Sequence, residues 1–539
     1  MRQAKQKTFR TTLVVTGIII ASKLLGFVRE MVMAAYFGRG IESDAYVTAY
    51  GILSLFTLLF SAGISSTFIP IYTRLRLRNG DKGANRYASN VLSLYCVAGL
   101  ITSVVAYIIA PWLAGLVYQG SAEGVALATE LSRLMYPTIA FWAMTGVLCN
   151  VLNAREKFIP EQLLGFVLSA CLITACVVFK EIHAVAIAVA VMAVIQFLIL
   201  LPFLRGEFHY YPGIRLRDTS LKRTFLLAIP ALISMAFDEI NHTVDRMVGS
   251  SLGLGVVTSL NKSYSLVATV LGVLIVPITT IMFSRLSKFA ARGDRKTFMK
   301  TVRQSLETIA LVTLPVIAVC MVMSKDIIAI AFQRGQFTAE DTAFTAPVFA
   351  FYIMGVIFFG MRNFLTRVYY SIQNTRTPMR VGIVAVCINI ALNLTLSRFL
   401  GAVGLTLATT IASACGLMLQ LFFLHRQLGR MGLRKSIGQM LRMAVALAVG
   451  VGLMMLCLQV LPVHTGDTVG SLIRLVICAA VCMVSYFLLC IFLRVEGTHM
   501  LLRVVFRKQL HQAHEERQRT LPPTRRTETR ARSRRDRRR

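Results

Sequence analysis

Charged side chains stand in this chain where an apolar surrounding should exclude them. Lys23, Arg29 and Glu30 fall inside the first apolar run, TTLVVTGIIIASKLLGFVREMVMAAYFG. An ionised group near a bilayer centre costs about 2.5–3.5 kcal/mol on insertion scales, so such groups face a bundle interior, a partner or a wet cavity. At about 100° per residue, Lys23, Gly26 and Glu30 lie along one helical stripe, with Arg29 on its flank. The same residues would also suit a paired contact between helices, or snorkelling to the headgroups from near a helix end. A second charged run, AIPALISMAFDEINHTVDRMVGS, carries Asp238, Glu239, His242, Asp245 and Arg246 on one helical face. Carboxylates flanking an imidazole are the residue types of a protonation or cation-coupling site; the alternative is a network of i,i+3 and i,i+4 pairs near a helix end. One helix supplies too few convergent ligands to hold a metal, and no metal is expected. Cations continue with Lys262 in SLNKSYSLVATVLG, and with Arg362 and Arg367 in YIMGVIFFGMRNFLTRVYY. A cavity lined by Arg29, Lys23, Lys262 and Arg362 suits an anion, phosphate or pyrophosphate above all, since Arg offers a planar fork of donors and Lys a point charge. Arg367, beside Tyr369 and Tyr370, reads instead as an interfacial anchor.

The elements that must hold these residues are membrane helices. Of 539 residues 56% are hydrophobic and 15% charged, and the mean hydropathy is +0.65, which together specify an all-α polytopic membrane protein. Continuous apolar runs, rather than short alternating strands, exclude a barrel. Fourteen windows are long enough to span, the first near 12–36, the seventh near 222–250, the eighth near 256–284 and the last near 470–494. Of the net charge of +33, much lies in alternate loops such as RLRLRNGDKGANR and SRLSKFAARGDRKTFMKTVR, whereas YQGSAEGVALATE and SSLGLG between them are poor in Lys and Arg. That alternation predicts both termini on the cytoplasmic side. The first span is too long for a signal peptide and reads as a retained helix. The basic tail, 497–539, has too few apolar groups to fold and is expected to touch anionic lipid headgroups rather than nucleic acid. Eleven cysteines are scattered without CxxC or metal-ligand spacing and read as small hydrophobes. No phosphate loop, HExxH, GxSxG or dinucleotide fingerprint is present, so the chain reads as neither an enzyme nor a cofactor binder. The segment AIAFQRGQFTAEDT is amphipathic and reads as either a surface-lying or a connecting helix.

The two halves of the sequence resemble each other. Arg74, Leu75 and Gly80-Asp81-Lys82 answer to Arg285, Leu286 and Gly293-Asp294-Arg295; Pro160 answers to Pro378, and Ala184 to Ala402. A duplicated six-helix unit follows, with boundaries at 1–210 and 211–430, a further helix pair at 431–496 and the tail beyond. Six is even, so both copies enter the membrane with the same orientation, and a substrate path lies between the two lobes.

The run SKLLGFVREMVMAAYFGRGIESDAY, with FSAGISSTFIPIY, FQRGQFT and NTRTPMRVGI, resembles the MurJ/MviN lipid II flippase family of the multidrug/oligosaccharidyl-lipid/polysaccharide exporter superfamily. The resemblance implies fourteen helices, two lobes about a cationic cavity, and a last helix pair forming a groove for a polyprenyl tail. The implied cargo is undecaprenyl-pyrophosphate-linked peptidoglycan precursor, moved from the inner to the outer leaflet of the bacterial cytoplasmic membrane. Implied partners are that lipid-linked glycan, membrane lipids and cell-wall synthesis proteins. Arg29 falls on the family's essential first-helix arginine, Glu30 on an acidic neighbour, and Asp44 on the acidic residue opening the second helix, the last two as gating or counter-charges. Lys23 and Lys262 fall where many members have arginine. Thr57 stands where many members carry an arginine, and the acidic seventh helix is a further departure. These leave open an exporter of another polyprenyl-linked glycan, or a cation-coupled drug exporter of the same superfamily.

Overall fold

The computed structural model describes residues 2–61, 64–215, 217–429, 433–461 and 468–498. The basic tail beyond Thr498 and the side chain of Asp238 lie outside the described residues. Every regular element among the described residues is a helix. In chain order these are α1 (Arg2–Phe37), α2 (Ile41–Ser61), α3 (Ile64–Val117), α4 (Ala122–Met135), α5 (Thr138–Ala154), α6 (Ile159–Val178) and α7 (Ile182–Leu204). After a linker come α8 (Thr219–Ser251), α9 (Val256–Val270), α10 (Val276–Ala291), α11 (Arg295–Val322), α12 (Ser324–Phe332), α13 (Ala339–Met354), α14 (Val356–Ser371) and α15 (Arg376–Leu428). The helices α16 (Leu433–Val460) and α17 (Thr468–Phe492) close the described chain.

Ten of these stretches are long and apolar enough to cross a membrane, or eleven when the bent pair α4–α5 is taken as one span. The charged helices α1 and α8 have 36 and 33 residues, enough to span. The 53-residue α15 is broken at Gly401, as the 54-residue α3 is broken at Gly80. The arrangement is therefore compatible with fourteen passes. The segment AIAFQRGQFTAEDT divides between the end of α12, a short loop and the start of α13, where Thr338 and Asp341 form a capping box.

The internal duplication reappears in the backbone. Left-handed residues occur in pairs, Gly38 with Gly255, Gly80 with Gly293, Glu156 with Gln373 and Lys180 with Gly401, each pair 213 to 221 positions apart. Each marks a joint between helices, where the chain must reverse and a glycine does so without strain. At two of these joints the following aspartate continues the pattern, and Asp294 caps α11 by accepting a hydrogen bond from Thr297 N at 3.0 Å.

Each half has its own apolar core. Ile52, Leu131, Tyr136 and Val189 pack together in the first half, and Leu306, Ile309, Phe364 and Val368 in the second. Met443 of α16 and Tyr486 of α17 join the second core, and Ser436 donates to the buried Glu307 of α11 at 2.8 Å. The linker belongs to the first half: Tyr211 N and Arg215 N donate to Ser89 and Asn90 of α3 at 2.9 and 2.8 Å. Leu221 and Thr224 at the start of α8 also pack on α3, so α8 begins on one half and ends in the other. At the same end of the bundle Arg155 joins Tyr72, Asp81 and Glu207 at 2.9 to 3.0 Å. Lys157, then Arg155, hold the Glu207 carboxyl below its ordinary range. All eleven cysteines are free thiols.

Replacing Gly293, at φ 70°, with valine is expected to cost about 1–2 kcal/mol or more, because a β-branched side chain resists the left-handed conformation. Gly382 has open space for 4 Å around the point a Cβ would occupy, and should accept alanine without loss. Thermal unfolding of the two purified variants in detergent compares them.

Candidate functional site

The two halves meet through α1, α2 and α3 on one side and α8, α9, α12 and α13 on the other. Three contacts seal the end where α1 turns into α2. The first is backbone on backbone. Gln336 N donates to Ala35 O at 2.8 Å, and the approach is so close that a Cβ on Gly335 would overlap Ala35 O, and one on Gly38 would stand 2.7 Å from Gln336 O. Both glycines are also left-handed, so the seal requires them twice over.

The second contact is Arg39. Its guanidinium donates to Asp341 at 3.0 Å and to Leu254 O at 3.1 Å, and lies 4.1 Å above the Phe344 ring. The third is Asp44, whose residue has 0% exposure. Its carboxylate accepts from Gly255 N at 2.6 Å, Thr258 N at 2.7 Å and Thr258 Oγ1 at 2.6 Å. Gly255 is the N-cap of α9 and has no side chain with which to cap it. Asp44 takes over that role from α2, satisfying the N-cap and N3 donors that a capping box would use and placing a negative charge at the positive end of α9.

One turn deeper lies the charge cluster. Glu30 accepts from Arg29 at 2.8 Å and from Lys262 at 2.9 Å, and Lys262 also donates to Glu30 O at 3.1 Å. Lys262, 4% exposed, sits 5.6 Å from the Phe332 ring centroid. A carboxylate of the first half is thus shared by a cation of its own helix and one of the other half. The cavity beside them has a volume of about 150 Å³ and is lined by Arg29, Glu30, Tyr46, Tyr50, Arg246 and Lys262 among others. Three cations against one carboxylate leave it positive.

Glu239, His242, Asp245 and Arg246 of α8 all line one cavity of about 240 Å³, though each has different partners. Glu239 accepts from Ser54 of α2 and lies 3.5 Å from Arg246, whose guanidinium passes over Gly51. A Cβ at Gly51 would overlap the guanidinium of Arg246, so a bare backbone there lets the arginine cross to α2. Asp245 turns the other way and accepts from Asn393 of α15 at 2.6 Å; Asn393 donates also to Asn389, and Asn389 to Thr409. His242 packs against Tyr264, ring centroids 4.8 Å apart and the planes tilted by 60°. Among the described residues no group of three His, Cys, Asp or Glu side chains could hold a metal ion.

Of the residues singled out from sequence, Arg29, Glu30, Lys262 and Asp44 come together at the junction of the halves. Lys23 does not join them. It shares the Glu30 stripe but lies seven residues, about 10 Å, along α1, is exposed, and does not line the cavity. Arg362 lines a different cavity within the second half. Thr57 donates to Ser54 O within α2. Arg39, Asp341 and Asn393 escaped sequence reasoning. Arg39 and Asp341 are 302 residues apart, and only the glycine-bracketed FGRG run hinted that α1 and α2 meet something closely.

A family model described as Lipid II flippase MurJ matches residues 33–477. A probable lipid II flippase MurJ of Vibrio cholerae is 29% identical over 466 residues, covering 83% of this chain and 88% of its own length. One from Rhizobium meliloti is 28% identical over 417 residues, 74% and 77% of the two chains. Among solved structures, a lipid II flippase MurJ in an inward closed conformation aligns with a TM-score of 0.74 at 22% identity, over 89% of this chain and 99% of that one. An inward-facing multidrug resistance MATE family transporter of the MOP superfamily aligns with a TM-score of 0.65 at 15% identity, over 78% and 98%.

Removing the Asp44 carboxylate by Asp44→Ala leaves the two α9 amides without their acceptor, at about 1–3 kcal/mol for each buried unsatisfied group. The seal should loosen. Hydrogen exchange read by mass spectrometry should speed up at Gly255 and Thr258, with peptides from α11 unchanged.

Proposed function

The chain belongs to the lipid II flippase MurJ family, and we propose that it moves undecaprenyl-pyrophosphate-linked peptidoglycan precursor, lipid II, from the inner to the outer leaflet by alternating access. The observation that carries this reading is the cavity at the junction of the two halves, lined by Arg246 and by Arg29 and Lys262, the two cations that Glu30 holds together. Pyrophosphate suits these groups because guanidinium forks and an ammonium supply charge-assisted donors in a place of low dielectric. The protein sits in the cytoplasmic membrane of a bacterium as a multi-pass chain, both termini inside, with the Arg39 and Asp44 seal facing outward. In that state the cavity opens inward.

The cycle follows from what the anion does to Glu30. Empty, the site is held by the carboxylate, which draws Arg29 and Lys262 together. Pyrophosphate competes for the same two cations and weakens the tie between halves. The halves, acting as six-helix lobes, then rock; the Asp44 cap and the Gly38–Gly335 contact part, and the headgroup faces outward while its polyprenyl tail stays in the bilayer. Lys23, farther in along α1, acts as an entry cation, and Glu30 and Asp44 act as gating counter-charges. Membership of a flippase family supports a translocator rather than an enzyme.

A second element concerns the driving force. Asp245 is buried beside Asn393, in reach of a chain of side-chain oxygens on α15, and occupancy of this group by a proton or cation would alter how α8 packs on α15. Glu239, His242 and Asp238 on the same helix are the accompanying candidates for ion coupling.

Arg29→Ala should abolish lipid II translocation in proteoliposomes and fail to rescue a flippase-depleted strain, while the protein stays folded because Lys262 still pairs Glu30. Normal rescue would remove Arg29 from the substrate site. Asp245→Asn should lower the rate under an imposed ion gradient by about tenfold or more, the equivalent of about 1.4 kcal/mol, without weakening lipid II binding. An unchanged rate would remove Asp245 from the coupling path.

A further inference from the structure

We infer that a second cavity, walled only by the second half of the chain, is a subsite for the acetamido-sugar portion of the cargo, a proposal that rests on reading the first cavity as a pyrophosphate site. This cavity has a volume of about 200 Å³ and is formed by α8, α9, α13, α14 and α15. Tyr264, Tyr352 and Phe359 make an aromatic wall, with ring centroids 6.0 Å apart for the first pair and 6.4 Å for the second. Asn241, Asn363 and Arg362 bring amide and guanidinium groups to the same space.

That combination matches one ligand chemistry. A sugar ring offers C–H faces that pack on aromatic rings and hydroxyls that need partners at its edge. An acetamido group carries one donor and one acceptor, and an asparagine amide can answer both. A polyprenyl chain would leave Arg362 and the amides without purpose, and a bare phosphate would make no use of the aromatic wall.

Position supports the same assignment. A middle cavity of about 240 Å³ shares Tyr50 and Arg246 with the cationic cavity, and His242, Tyr264 and Tyr352 with the aromatic one, so the three lie side by side. Along α9, Lys262 lines the first and Leu271 the last, nine residues or about 13 Å apart. A π-helical turn, Leu271–Ile275, interrupts the helix at that point, and Gly360 of α14 makes room for Ile275, which a Cβ there would overlap. Such turns recur beside functional sites because they reshape a helix wall locally. The walls all lie in the second half, so the sugar contacts are separate from the Arg29–Glu30 side of the junction, where the pyrophosphate contacts change.

The test uses the full chain in lipid nanodiscs and two soluble probes, a short-chain prenyl pyrophosphate and the same pyrophosphate carrying an N-acetylated disaccharide. Tyr264 is 39% exposed, so Tyr264→Ala leaves no buried void. Tyr264→Ala and Asn363→Ala should each weaken the glycosylated probe by about tenfold and leave the bare pyrophosphate unchanged. Arg29→Ala should weaken both probes. If the Tyr264 and Asn363 variants bind the glycosylated probe like wild type, or lose both probes equally, while Arg29→Ala weakens both, the sugar subsite is wrong and the pyrophosphate site stands. If Arg29→Ala leaves both probes unaffected, the pyrophosphate site itself is wrong and the subsite falls with it.

Discussion

Glu30 cannot be left alone. A carboxylate largely enclosed by helices is poorly solvated, and stripping away one partner of a buried pair typically costs about 3–5 kcal/mol. Its partners are Arg29 on the same helix and Lys262 on α9, at 2.8 and 2.9 Å. The requirement that one buried charge be neutralised therefore ties the two halves together, beside an apolar contact in which Ala34 and Phe27 of α1 pack against Phe332 of α12. It also places two cations beside a cavity where a competing anion can reach them. In the proposed cycle, the same constraint that stabilises the closed junction makes that junction responsive to an anionic cargo.

The seal at the turn from α1 to α2 works by a different principle. Asp44 caps a helix that lacks its own cap, and Gly38 and Gly335 bring two backbones into contact. These contacts demand geometry rather than bulk, since carboxylate oxygens must meet amides of a helix N-terminus and no side chain can intervene. They can be broken as a set when the halves tilt, with each freed amide and carboxylate passing to water. Arg39 adds a charged contact to Asp341 at the rim, where side chains keep partial access to solvent. A seal of polar, shape-dependent contacts suits a gate, because an apolar seal of the same area would resist re-wetting.

On α8 the consequence of tertiary packing is sharpest. Its ionisable residues lie on one helical face, yet Glu239 and Arg246 are drawn to α2, Asp245 to α15, and His242 to the aromatic ring of Tyr264. Arg246 can reach the first cavity only because Gly51 presents bare backbone to it. Neither the charge pattern nor the helical angle of Arg246 distinguishes that role from an i,i+4 pairing on its own helix. Lys23 illustrates the reverse: it shares the Glu30 stripe, but two helical turns carry it away from the cavity.

Sequence alone determined the helical class, the burden of buried charge in α1 and α8 and the duplicated joints, and it singled out Arg29, Glu30, Asp44 and Lys262, which the fold brings to the junction of the halves. These follow from local physics: lipid demands helices, charges in apolar runs demand partners, and left-handed joints favour glycine at most of their positions. Tertiary structure alone decided which charges meet. It chose Lys262 as the partner of Glu30, Asp44 as the cap of α9, Asp341 as the partner of Arg39, and Asn393 as that of Asp245, pairings 148 to 302 residues apart. Such pairings depend on how two halves are docked, and nothing within a single helix encodes the face that its neighbour will present.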